Sequence, residues 1–421
     1  MTPNLARATT LMKERDLDAV IACSPVNVRY LTGFGNWIGP LFREYMVRPG
    51  GSDDLVQRTF VLLPLGAEPM LIVEPSFVLD AVDCGVADVR VAGGGTFAAG
   101  DRAVHEDDRA RRLLLERNWP DDPVAVLANA IRERGLAHSR IGIEAGSMLA
   151  HERATLASGL PDATFLNCEA LLRIIRAVKT ETEIEMLTRA AEIGEEAALR
   201  VAEEAGEGTT PTELATHFRA LAAAEGADFD HLALSLDGLG FVTAGDRPLR
   251  GGTSMFFDYG CIYRGWFSDA GTTLVLGEPG PAARTEHAAV RDAIAVGAEA
   301  LRPGVAGSSA QKAMQDALSH SGIAESFPHG HGLGLEIREY PIIVPAGGGT
   351  IKDDCIEMDA DLPLETDMVL NLEASLLVLG ERSVHCEQTF VVTNDGCRAL
   401  TEQHRETPLV AGERQERRAF A

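Results

Sequence analysis

Short apolar runs separated by polar segments follow one another through the first part of the chain. The runs are LDAVIACSP, RTFVLLPLG, EPMLIV, DVRVAGG, SRIGIEAG and ATFLNCEAL. Strands that alternate with helices produce this pattern, so this part is predicted to form an α/β domain. A polar, glycine-rich stretch from about Gly93 to Asp122 interrupts the pattern and is predicted to lie on the surface.

Helical periodicity begins at Thr180. Thr180 and Glu183 form a capping-box pattern, in which the hydroxyl accepts from an N–H of the first turn and the carboxylate reaches back to the helix start. A second helix start has Thr210 as its cap and Glu213 at the equivalent place, with a proline between them. The change of pattern predicts a domain boundary near residues 172–180.

The length of the chain also favours more than one domain. It has 421 residues, and a single hydrophobic core rarely grows beyond about 250 to 300 residues. We expect an α/β N-terminal domain at 1–174 and a second domain at 175–404. Residues 405–421 contain few core residues and are expected to form a flexible tail.

Composition and charge exclude several classes of partner. The formal net charge is −25, whereas binding to a polyanion needs clustered Lys and Arg, so neither nucleic acid nor an anionic membrane is expected. No apolar run is long enough to cross a bilayer, and the first residues carry charges where a signal peptide needs an apolar stretch. A cytoplasmic location is expected. The seven cysteines lack a C-x-x-C pair, which argues against a disulfide framework or a cysteine zinc site.

The segment SMFFDYGCIYRGWFSDAGTTLVL contains two acidic residues in an otherwise apolar hairpin pattern. A hairpin about the midpoint of Tyr263 and Arg264 places Asp258 directly opposite Asp269. Like charges that face each other across a strand pair are destabilising, so this pair predicts a bound cation.

A second segment, MVLNLEASLLVLGERSVHCEQTFVVT, repeats the arrangement. A hairpin centred on Gly380 places Glu373 opposite Glu387. One facing acidic pair can arise by chance among 63 acidic residues, and a register that slips by one residue would separate it. Two such pairs, together with His331 in the glycine-rich segment FPHGHGLGLEIREYP, favour a metal site instead.

The ligand types indicate which metals are expected. Oxygen-rich ligation with one imidazole suits Mn, Fe, Co or Zn, and five ligands fit two divalent ions about 3.5 to 4 Å apart. We therefore expect a dinuclear metal centre. Such a centre holds a hydroxide near neutral pH and polarises the carbon that the hydroxide attacks.

These residues resemble the pita-bread metalloenzyme family, which includes methionine aminopeptidase, proline-specific aminopeptidase, prolidase and creatinase. The family's ligands are an Asp, a second Asp eleven places later, a His in a G-H-G-x-G segment, and two Glu. This chain has matching residues at all five positions. They are Asp258, Asp269, His331, Glu373 and Glu387.

The resemblance implies the rest of the architecture. It implies an α+β fold in which a pita-bread catalytic domain with a curved antiparallel sheet follows a smaller α/β creatinase-like domain. It also implies a homodimer in which the N-terminal domain contributes to the partner's site. In relatives, an aromatic residue and an arginine of this region bind the substrate's carboxylate across the dimer. By that comparison Phe42 and Arg43 bind substrate and Trp37 forms a pocket wall, although an exposed loop arginine is usually only solvated.

Two positions depart from the peptidases of the family. The peptidases carry a histidine seven places after the ligand histidine, where this chain has Arg338. They carry another ahead of the first aspartate, where Phe241 or Val242 stands here. Both histidines assist peptide hydrolysis in the family, so ordinary aminopeptidase activity is in doubt. Arginine cannot shuttle protons near neutral pH, but its planar fork can bind a carboxylate.

The remaining candidates each have two interpretations. Arg338 either anchors an acidic substrate or pairs on the surface with Glu339. His329 either lies beside the metals as a catalytic residue or is a packed histidine. His231 either contributes to the substrate pocket or is structural. His385 shares a strand face with Glu387 two residues later and is a candidate to support that ligand.

The favoured function is hydrolysis of a C–N bond, in an amide or amidine of a small carboxylate-bearing molecule, by a metal-bridging hydroxide. Glu373 would relay the proton, Arg338 with an arginine of the N-terminal domain would hold the substrate, and His329 is a further catalytic candidate. The alternatives are an Xaa-Pro aminopeptidase or dipeptidase, a metal-dependent lyase of the dimethylsulfoniopropionate lyase type, and a non-catalytic binding module. The intact ligand set argues against the binding module.

Overall fold

The protein divides into two compact units, each of which has its own sheet and core. The computed structural model describes residues 3–35, 58–93, 109–115, 120–323, 325–401 and 407–413. The first unit comprises Met1–Arg176 and Thr350–Met358, and the second comprises Ala177–Gly349 and Asp359–Ala421. The division falls two residues after the expected end at 174. It also assigns Thr350–Met358 to the first unit, whereas the sequence placed this segment in the domain 175–404.

The first unit is built on a six-stranded mixed sheet. Its strands are β1 (Ala19–Ala22), β2 (Phe60–Pro64), β3 (Met70–Val73), β4 (Asp88–Val91), β5 (Arg140–Ile143) and β6 (Thr164–Asn167). Their order is β4-β3-β2-β1-β5-β6, with antiparallel pairs β1/β2 and β2/β3 and parallel pairs elsewhere. Each of the six apolar runs forms one of these strands, as predicted.

Helices connect these strands. They are Leu5–Glu14, Pro25–Thr32, Val78–Asp83, Arg109–Leu115, Pro123–Glu133, Ala150–Gly159 and Glu169–Ala177, with a short 3₁₀ turn at Pro75–Phe77. The core contains buried side chains from the central strands and from the helix Pro123–Glu133, such as Ile21, Leu62, Leu127 and Ile141. The mixed sheet with helices in its connections agrees with the predicted α/β class.

The segment Thr350–Met358 also belongs to this first unit. It forms a two-stranded sheet of β13 (Thr350–Lys352) and β14 (Glu357–Asp359). The carboxylate of Asp353 accepts a hydrogen bond from the N–H of Leu171, and Asp354 accepts one from Asn167. Leu171 lies in the first turn of the helix Glu169–Ala177, where N–H groups lack partners within the helix and favour negative charge.

The second unit is built on a ten-stranded sheet. Its strands are β7 (Ala227–Ser235), β8 (Ser254–Tyr263), β9 (Trp266–Phe267), β10 (Ala270–Val275), β11 (His329–Gly332), β12 (Glu339–Ile343), β15 (Val369–Val378), β16 (Arg382–Val392), β17 (Cys397–Ala399) and β18 (Leu409–Val410). The main order is β12-β11-β15-β16-β10-β8-β7, and every neighbouring pair in it is antiparallel.

Two helix pairs cover different strands of this sheet. The helices are Glu181–Glu204, Pro211–Ala224, Pro281–Glu299 and Gly307–His320, with a 3₁₀ turn at Leu236–Gly238. The first pair shares a core with β7, β8 and β10, which includes Phe218 and Phe257. The second pair shares a core with β15 and β16, which includes Met314 and Leu370. The unit is α+β, as the sequence predicted.

The helix starts follow the predicted capping signals. Thr180 accepts a hydrogen bond from the N–H of Glu183, whose carboxylate accepts one from the N–H of Thr180. Thr210 and Glu213 repeat the exchange at the next helix. Both capping boxes are confirmed.

The expected tail at 405–421 is only partly a tail. Leu409–Val410 forms β18, which pairs in parallel with the end of β10, and Leu409 is buried. The prediction of a flexible segment is therefore wrong for residues 407–413, because the apolar pair Leu409–Val410 extends the edge of the sheet at β10. Residues 414–421 lie outside the described part of the chain.

Candidate metal centre and active site

The hairpin of β8 with β9 and β10 has a different register from the predicted one. Tyr263 pairs with Trp266, so the turn is the two residues Arg264 and Gly265, which have φ values of 51° and 90°. Two-residue turns with positive φ match the twist of hairpin strands and are favoured. The pairing consequently moves by two residues, and the predicted facing of Asp258 and Asp269 is wrong.

Asp258 instead lies directly opposite Gly271 of β10. A shift of two residues preserves the face on which each side chain lies, because side chains alternate with period two. Asp269 stands in the short gap between β9 and β10, and its carboxylate still lies close to Asp258. Oxygens of both carboxylates and a nitrogen of His231 all lie within 4.8 Å of one another.

The second hairpin has the predicted register. Glu373 of β15 lies directly opposite Glu387 of β16, and the pairing is continuous to the turn around Gly380. Gly380 has a φ of 78°, which glycine adopts without a steric cost.

One row of residues crosses the sheet and explains how distant segments meet. Asp258 faces Gly271, Gly271 also faces Glu387, Glu387 faces Glu373, and Glu373 faces His329. Cross-strand partners share a face of the sheet. The row therefore places three of the predicted ligands and one predicted catalytic residue on one face.

His331 lies one pleat further along β11 and is almost completely buried. Its Nδ1 lies 3.1 Å from the carbonyl of Gly332 and donates to it, so in the neutral ring with this tautomer Nε2 carries the lone pair that a metal ion would bind. Nε2 lies 3.4 Å from Asp269 Oδ2 and 3.9 Å from Glu373 Oε1. This orientation suits the binding of an ion together with these carboxylates.

Glycine is required on both sides of this histidine. A Cβ on Gly330 would collide with the carbonyl oxygen of Asn371 on β15, and one on Gly332 would collide with the carbonyl of Tyr340. The alternating glycines of the GHGLG segment therefore allow β11 to lie close to its neighbours. This close approach places His331 next to the carboxylates.

The electrostatics of the cluster are those of a cation site. Burial, with the neighbouring charges of Asp269 and Asp258, raises the pKa of Glu387 well above its usual value. Burial also raises the pKa of Asp269. The hydrogen bond with His331 lowers this pKa, and the charge of Asp258 raises it further. Buried carboxylates in contact are stable as anions when a cation neutralises them. Four of the five predicted ligands belong to close groups of donor atoms, and Glu373 Oε1 lies 3.9 Å from Nε2 of His331. Their oxygen and imidazole donors fit divalent metal ions.

The pKa of Glu373 shifts in the opposite direction from the pKa values of Asp269 and Glu387. Burial favours its neutral form, but the hydrogen bond and charge of His329 prevail, with smaller contributions from His385 and His331, and lower its pKa to about 2. His329 Nε2 lies 2.8 Å from Glu373 Oε1. Against the effect of burial, this contact raises the pKa of His329.

Arg338 completes this group. Its Nη2 lies 3.3 Å from Glu373 Oε1 and 3.2 Å from His329 Nε2, while 56% of the side chain remains exposed. Glu339, the alternative partner, is buried and accepts a hydrogen bond of 3.0 Å from Lys179. The ion pair between Arg338 and Glu339 that the sequence offered is therefore wrong. The Arg338 guanidinium lies beside the predicted ligand Glu373, and more than half of the side chain is exposed.

Two further histidines lie against the carboxylates. His231 Nε2 lies 2.9 Å from Asp258 Oδ1, and its Nδ1 lies 2.7 Å from Asp230 Oδ2. Burial lowers the pKa of His231, but these two carboxylates raise it to about 11. His385 is fully buried, and its Nε2 lies 3.0 Å from Glu387 Oε2.

The imidazole of His385 occupies the space that Gly271 of β10 leaves by having no side chain. A side chain on Gly271 would collide with its imidazole ring, and the ring stacks on Phe256 at 3.9 Å between centroids. Burial lowers the pKa of His385. Its place beside Glu387 agrees with the supporting position that strand alternation predicted.

Asp230 and Asn371 were not among the predicted site residues. The amide of Asn371 donates to Glu387 Oε1 at 2.8 Å and to the carbonyl of Asp269 at 2.9 Å, so it holds two ligand-bearing segments together. Its position two residues before Glu373 on the same strand was the available signal. Asp230 gave no such signal, because a strand irregularity sets its position. The predicted substrate-binding residues Trp37, Phe42 and Arg43 lie outside the described residues.

Comparison with known families accounts for both units. The model of metallopeptidase family M24 matches residues 185–394, and that of the creatinase/prolidase N-terminal domain matches residues 4–178. An uncharacterized peptidase of Bacillus subtilis, YqhT, is 26% identical over 290 residues, which are 67% of this chain and 78% of that protein. An uncharacterized peptidase of Staphylococcus aureus strain USA300 is 28% identical over 270 residues, 62% of this chain and 73% of its own.

Solved structures share the whole fold. An Xaa-Pro dipeptidase from Bacillus anthracis has a TM-score of 0.72 at 20% identity, covering 97% of this chain and 99% of that one. An X-Pro aminopeptidase from Thermotoga maritima has a TM-score of 0.71 at 21% identity, with 97% and 100% covered. The prolidase from Pyrococcus horikoshii has a TM-score of 0.70 at 21% identity, with 96% and 99% covered. With both family models matched, the chain belongs to metallopeptidase family M24, the pita-bread metal-dependent hydrolases, and carries a creatinase/prolidase N-terminal domain.

Proposed function

We propose that the protein is a metal-dependent hydrolase of small peptides with a free carboxylate, of the Xaa-Pro dipeptide type. The observation that carries this proposal is the partly exposed Arg338 guanidinium beside Glu373. The similarity to proteins described as Xaa-Pro peptidases supports peptide hydrolysis. This reading takes precedence over the amide or amidine hydrolase that the sequence alone favoured.

Five side chains would hold the metal ions. They are Asp258, Asp269, His331, Glu373 and Glu387. Mn, Fe, Co and Zn all suit this donor set. Two such ions, when bound, supply Lewis-acid polarisation of the scissile carbonyl and lower the pKa of water to near neutrality.

Glu373 and His329 are proposed to handle the proton. Glu373 is ionised at neutral pH because its pKa is lowered to about 2, so it carries no proton of its own and its free oxygen lone pairs face the centre as acceptors. His329 Nε2 lies 2.8 Å from Oε1 of Glu373, donates a hydrogen bond to this oxygen and fixes the orientation of the carboxylate. Glu373 would take the proton that the attacking water loses and pass it to the leaving nitrogen, and His329 would stay hydrogen-bonded to Glu373.

Arg338 is proposed to bind the substrate's carboxylate. A guanidinium fork binds a carboxylate in two places, and such charge-assisted hydrogen bonds contribute about 1.5 to 3 kcal/mol. A dipeptide carries its carboxylate a short distance from the scissile bond. An arginine next to the proton-handling carboxylate therefore favours a dipeptide over a long peptide.

The test uses Xaa-Pro dipeptides as free acids and as C-terminal amides, with protein loaded separately with Mn, Co, Fe or Zn. Turnover of the free acids is expected. In Arg338→Gln, the KM for the free acid is expected to rise about 10- to 100-fold, with a much smaller change for the amide. Arg302→Gln, which removes a surface arginine that contacts the Glu299 carbonyl, serves as the matched control. An equal loss for acid and amide would contradict carboxylate binding by Arg338.

The second candidate is hydrolysis of a non-peptide amide or amidine. The arginine at a position where the resemblance expects a histidine favours it. Metal-loaded protein that cleaves no Xaa-Pro peptide but releases an amine from small amides or amidines would establish this candidate. Release of an alkene without consumption of water would establish the lyase, and neither activity with metal bound would favour a binding module.

The remaining expectations concern assembly. We propose a homodimer in which Arg43, Phe42 and Trp37 contribute to the partner's site, as the resemblance implies. Sedimentation of the full chain tests the dimer. Among the described residues, no helix is both long enough and apolar enough to cross a bilayer.

A further inference from the structure

Strand β7 contains an irregularity at the position that precedes His231. Phe229 pairs with Cys261 and His231 pairs with Gly260, so Asp230 is an extra residue on β7. In a regular strand, Phe229 and His231 would lie on the same face. The bulge reverses the alternation, so Phe229 packs against the helix-covered core while His231 lies on the face that carries the carboxylates.

The neighbouring strand leaves room for this imidazole. A Cβ on Gly260, the cross-strand partner of His231, would lie 2.5 Å from the ring's Cε1 and 2.8 Å from Nδ1. Glycine at this place lets the ring lie flat across β8. From there Nε2 reaches Asp258 Oδ1 at 2.9 Å and Asp269 Oδ1 at 3.5 Å.

The ring is held in this orientation from its other side. Nδ1 lies 2.7 Å from the carboxylate of Asp230, the bulged residue. With no metal between them, Nε2–H donates to Asp258. A metal ion that takes the place of this proton would receive the lone pair of Nε2 while Nδ1–H stays on Asp230, which is the usual arrangement of metal-binding histidines. His331 is arranged in the same way, with its Nδ1 on a carbonyl and its Nε2 towards Asp269 Oδ2.

The two histidines approach Asp269 from opposite oxygens. His231 faces Oδ1 and His331 faces Oδ2. A carboxylate that joins two ions presents one oxygen to each. The geometry therefore provides one imidazole for each side of Asp269.

We propose that His231 is a sixth metal-binding residue of the centre, on the Asp258 side, and that Asp230 is its positioning residue. The proposal rests on the metal centre of the proposed function and adds a nitrogen to the ion that Asp258 holds. An imidazole on each ion favours Zn, Co or Fe over Mn, because softer nitrogen donors suit these metals better. The role first predicted for His231, in the substrate pocket, is replaced by this one.

Zinc binding by the full chain tests the proposal without reference to any substrate. Titration calorimetry measures the affinity and number of zinc ions, and X-ray absorption counts the imidazoles bound to zinc. In His231→Gln, we expect one of the two zinc ions to bind at least 100-fold more weakly, and the count to fall by one imidazole per zinc pair. In Asp230→Asn, which keeps the imidazole, we expect a loss of about 10- to 100-fold in the same affinity. His320→Gln removes a histidine that contacts only its own helix in the described contacts and serves as the control.

The outcomes separate this inference from the proposed function. One outcome is that wild type binds two zinc ions and that His231→Gln has the same zinc affinity and the same imidazole count. This outcome would overturn the sixth ligand and leave the proposed hydrolase standing. No zinc bound to wild type would overturn both. If His231→Gln does not fold, Asp230→Asn decides, because an unchanged zinc affinity in that variant would contradict the positioning role.

Discussion

The hairpin of β8 and β10 and the hairpin of β15 and β16 both bring acidic side chains to one face of the sheet, but they do so differently. In the second, Glu373 and Glu387 face each other in an unbroken ladder. In the first, the turn at Arg264-Gly265 sets a register in which Asp258 faces Gly271, and Asp269 lies in the gap between β9 and β10. The comparison shows that carboxylates can converge by facing each other directly or from positions two residues apart in one register.

The surroundings of the two hairpins differ more than their backbones. Asp258 is accompanied by His231 and, behind it, Asp230. Glu373 is accompanied by His329 and the partly exposed Arg338. The first environment is suited to holding a metal ion, and the second is suited to moving a proton and binding a substrate anion. The proposed function would thus give the two halves of the centre different tasks, although both are built from acidic hairpins.

The largest effect is expected at Asp269, which the two halves share. Its Oδ1 faces His231 and its Oδ2 faces His331, so its loss should weaken both ions at once. In Asp269→Asn, we expect at most one zinc ion to remain bound and turnover to fall by at least about 10³-fold, equivalent to about 4 kcal/mol of activation free energy. Calorimetry and peptide turnover measure the two effects.

Asp359→Asn is the control for this substitution. Asp359 is exposed at the end of β14, and its carboxylate accepts a hydrogen bond from the N–H of Asp361. The control should bind two zinc ions. If Asp269→Asn also binds two with unchanged affinity, the two halves do not share Asp269.

A buried carboxylate outside the centre provides the next test. Burial raises the pKa of Glu183 to about 7, against the hydrogen bond from Thr180 and the charge of Lys179, which lower it. The folded chain therefore binds this proton more tightly than the unfolded chain, whose pKa is near 4.5. The resulting stability is fully present below about pH 4.5 and is lost as pH rises through about 7, by up to about 3 kcal/mol.

Glu183→Gln should remove this pH dependence, since glutamine stays neutral and keeps an oxygen for the Thr180 N–H. The free energy of unfolding of the variant minus that of wild type is expected to increase from pH 5 to pH 8 in urea titrations. Glu213→Gln, at the same capping position of the next helix but exposed, is the control and should follow wild type. A difference for Glu183→Gln that stays constant with pH would show that its carboxyl does not titrate in this range.

Much of the fold and of the site was predictable because it depends on local chemistry. Alternating apolar runs predicted the strands of the first unit, and the capping boxes at Thr180 and Thr210 marked two helices. The pairing of Glu373 with Glu387 followed from a glycine-centred turn. The first hairpin was misjudged because the turn could be placed on either of two neighbouring dipeptides, and only the positive φ of Arg264 and Gly265 decides.

The remaining features depend on contacts that sequence spacing does not reveal. The bulge at Asp230 reverses the face of His231, so counting by twos from Phe229 places this histidine in the wrong layer. The assignment of Thr350–Met358 to the first unit depends on Asp353 and Asp354 reaching backbone N–H groups more than 180 residues earlier. Such long-range partners are set by the tertiary structure.

The smallest expected effect concerns the two turns themselves. Gly265 and Gly380 both have positive φ, at 90° and 78°. A non-glycine residue in the left-handed region costs about 1 to 2 kcal/mol, so Gly265→Ala and Gly380→Ala should each lower the free energy of unfolding by about 1 kcal/mol. Urea titrations at one pH measure both, with Gly251→Ala as the control, because an added Cβ there meets no other atom within 4 Å and φ lies outside the positive range.

The comparison predicts that the two costs are unequal. Arg264 already occupies the left-handed region at φ 51°, so Gly265→Ala would place two consecutive side chains in conformations that L-residues avoid. The turn at Gly380 contains one such position, because neither Leu379 nor Glu381 has a positive φ. Gly265→Ala should therefore cost more than Gly380→Ala. Equal costs would mean that the Arg264-Gly265 turn relaxes to another type. The register that places Asp258 opposite Gly271 would then not depend on the two-residue turn.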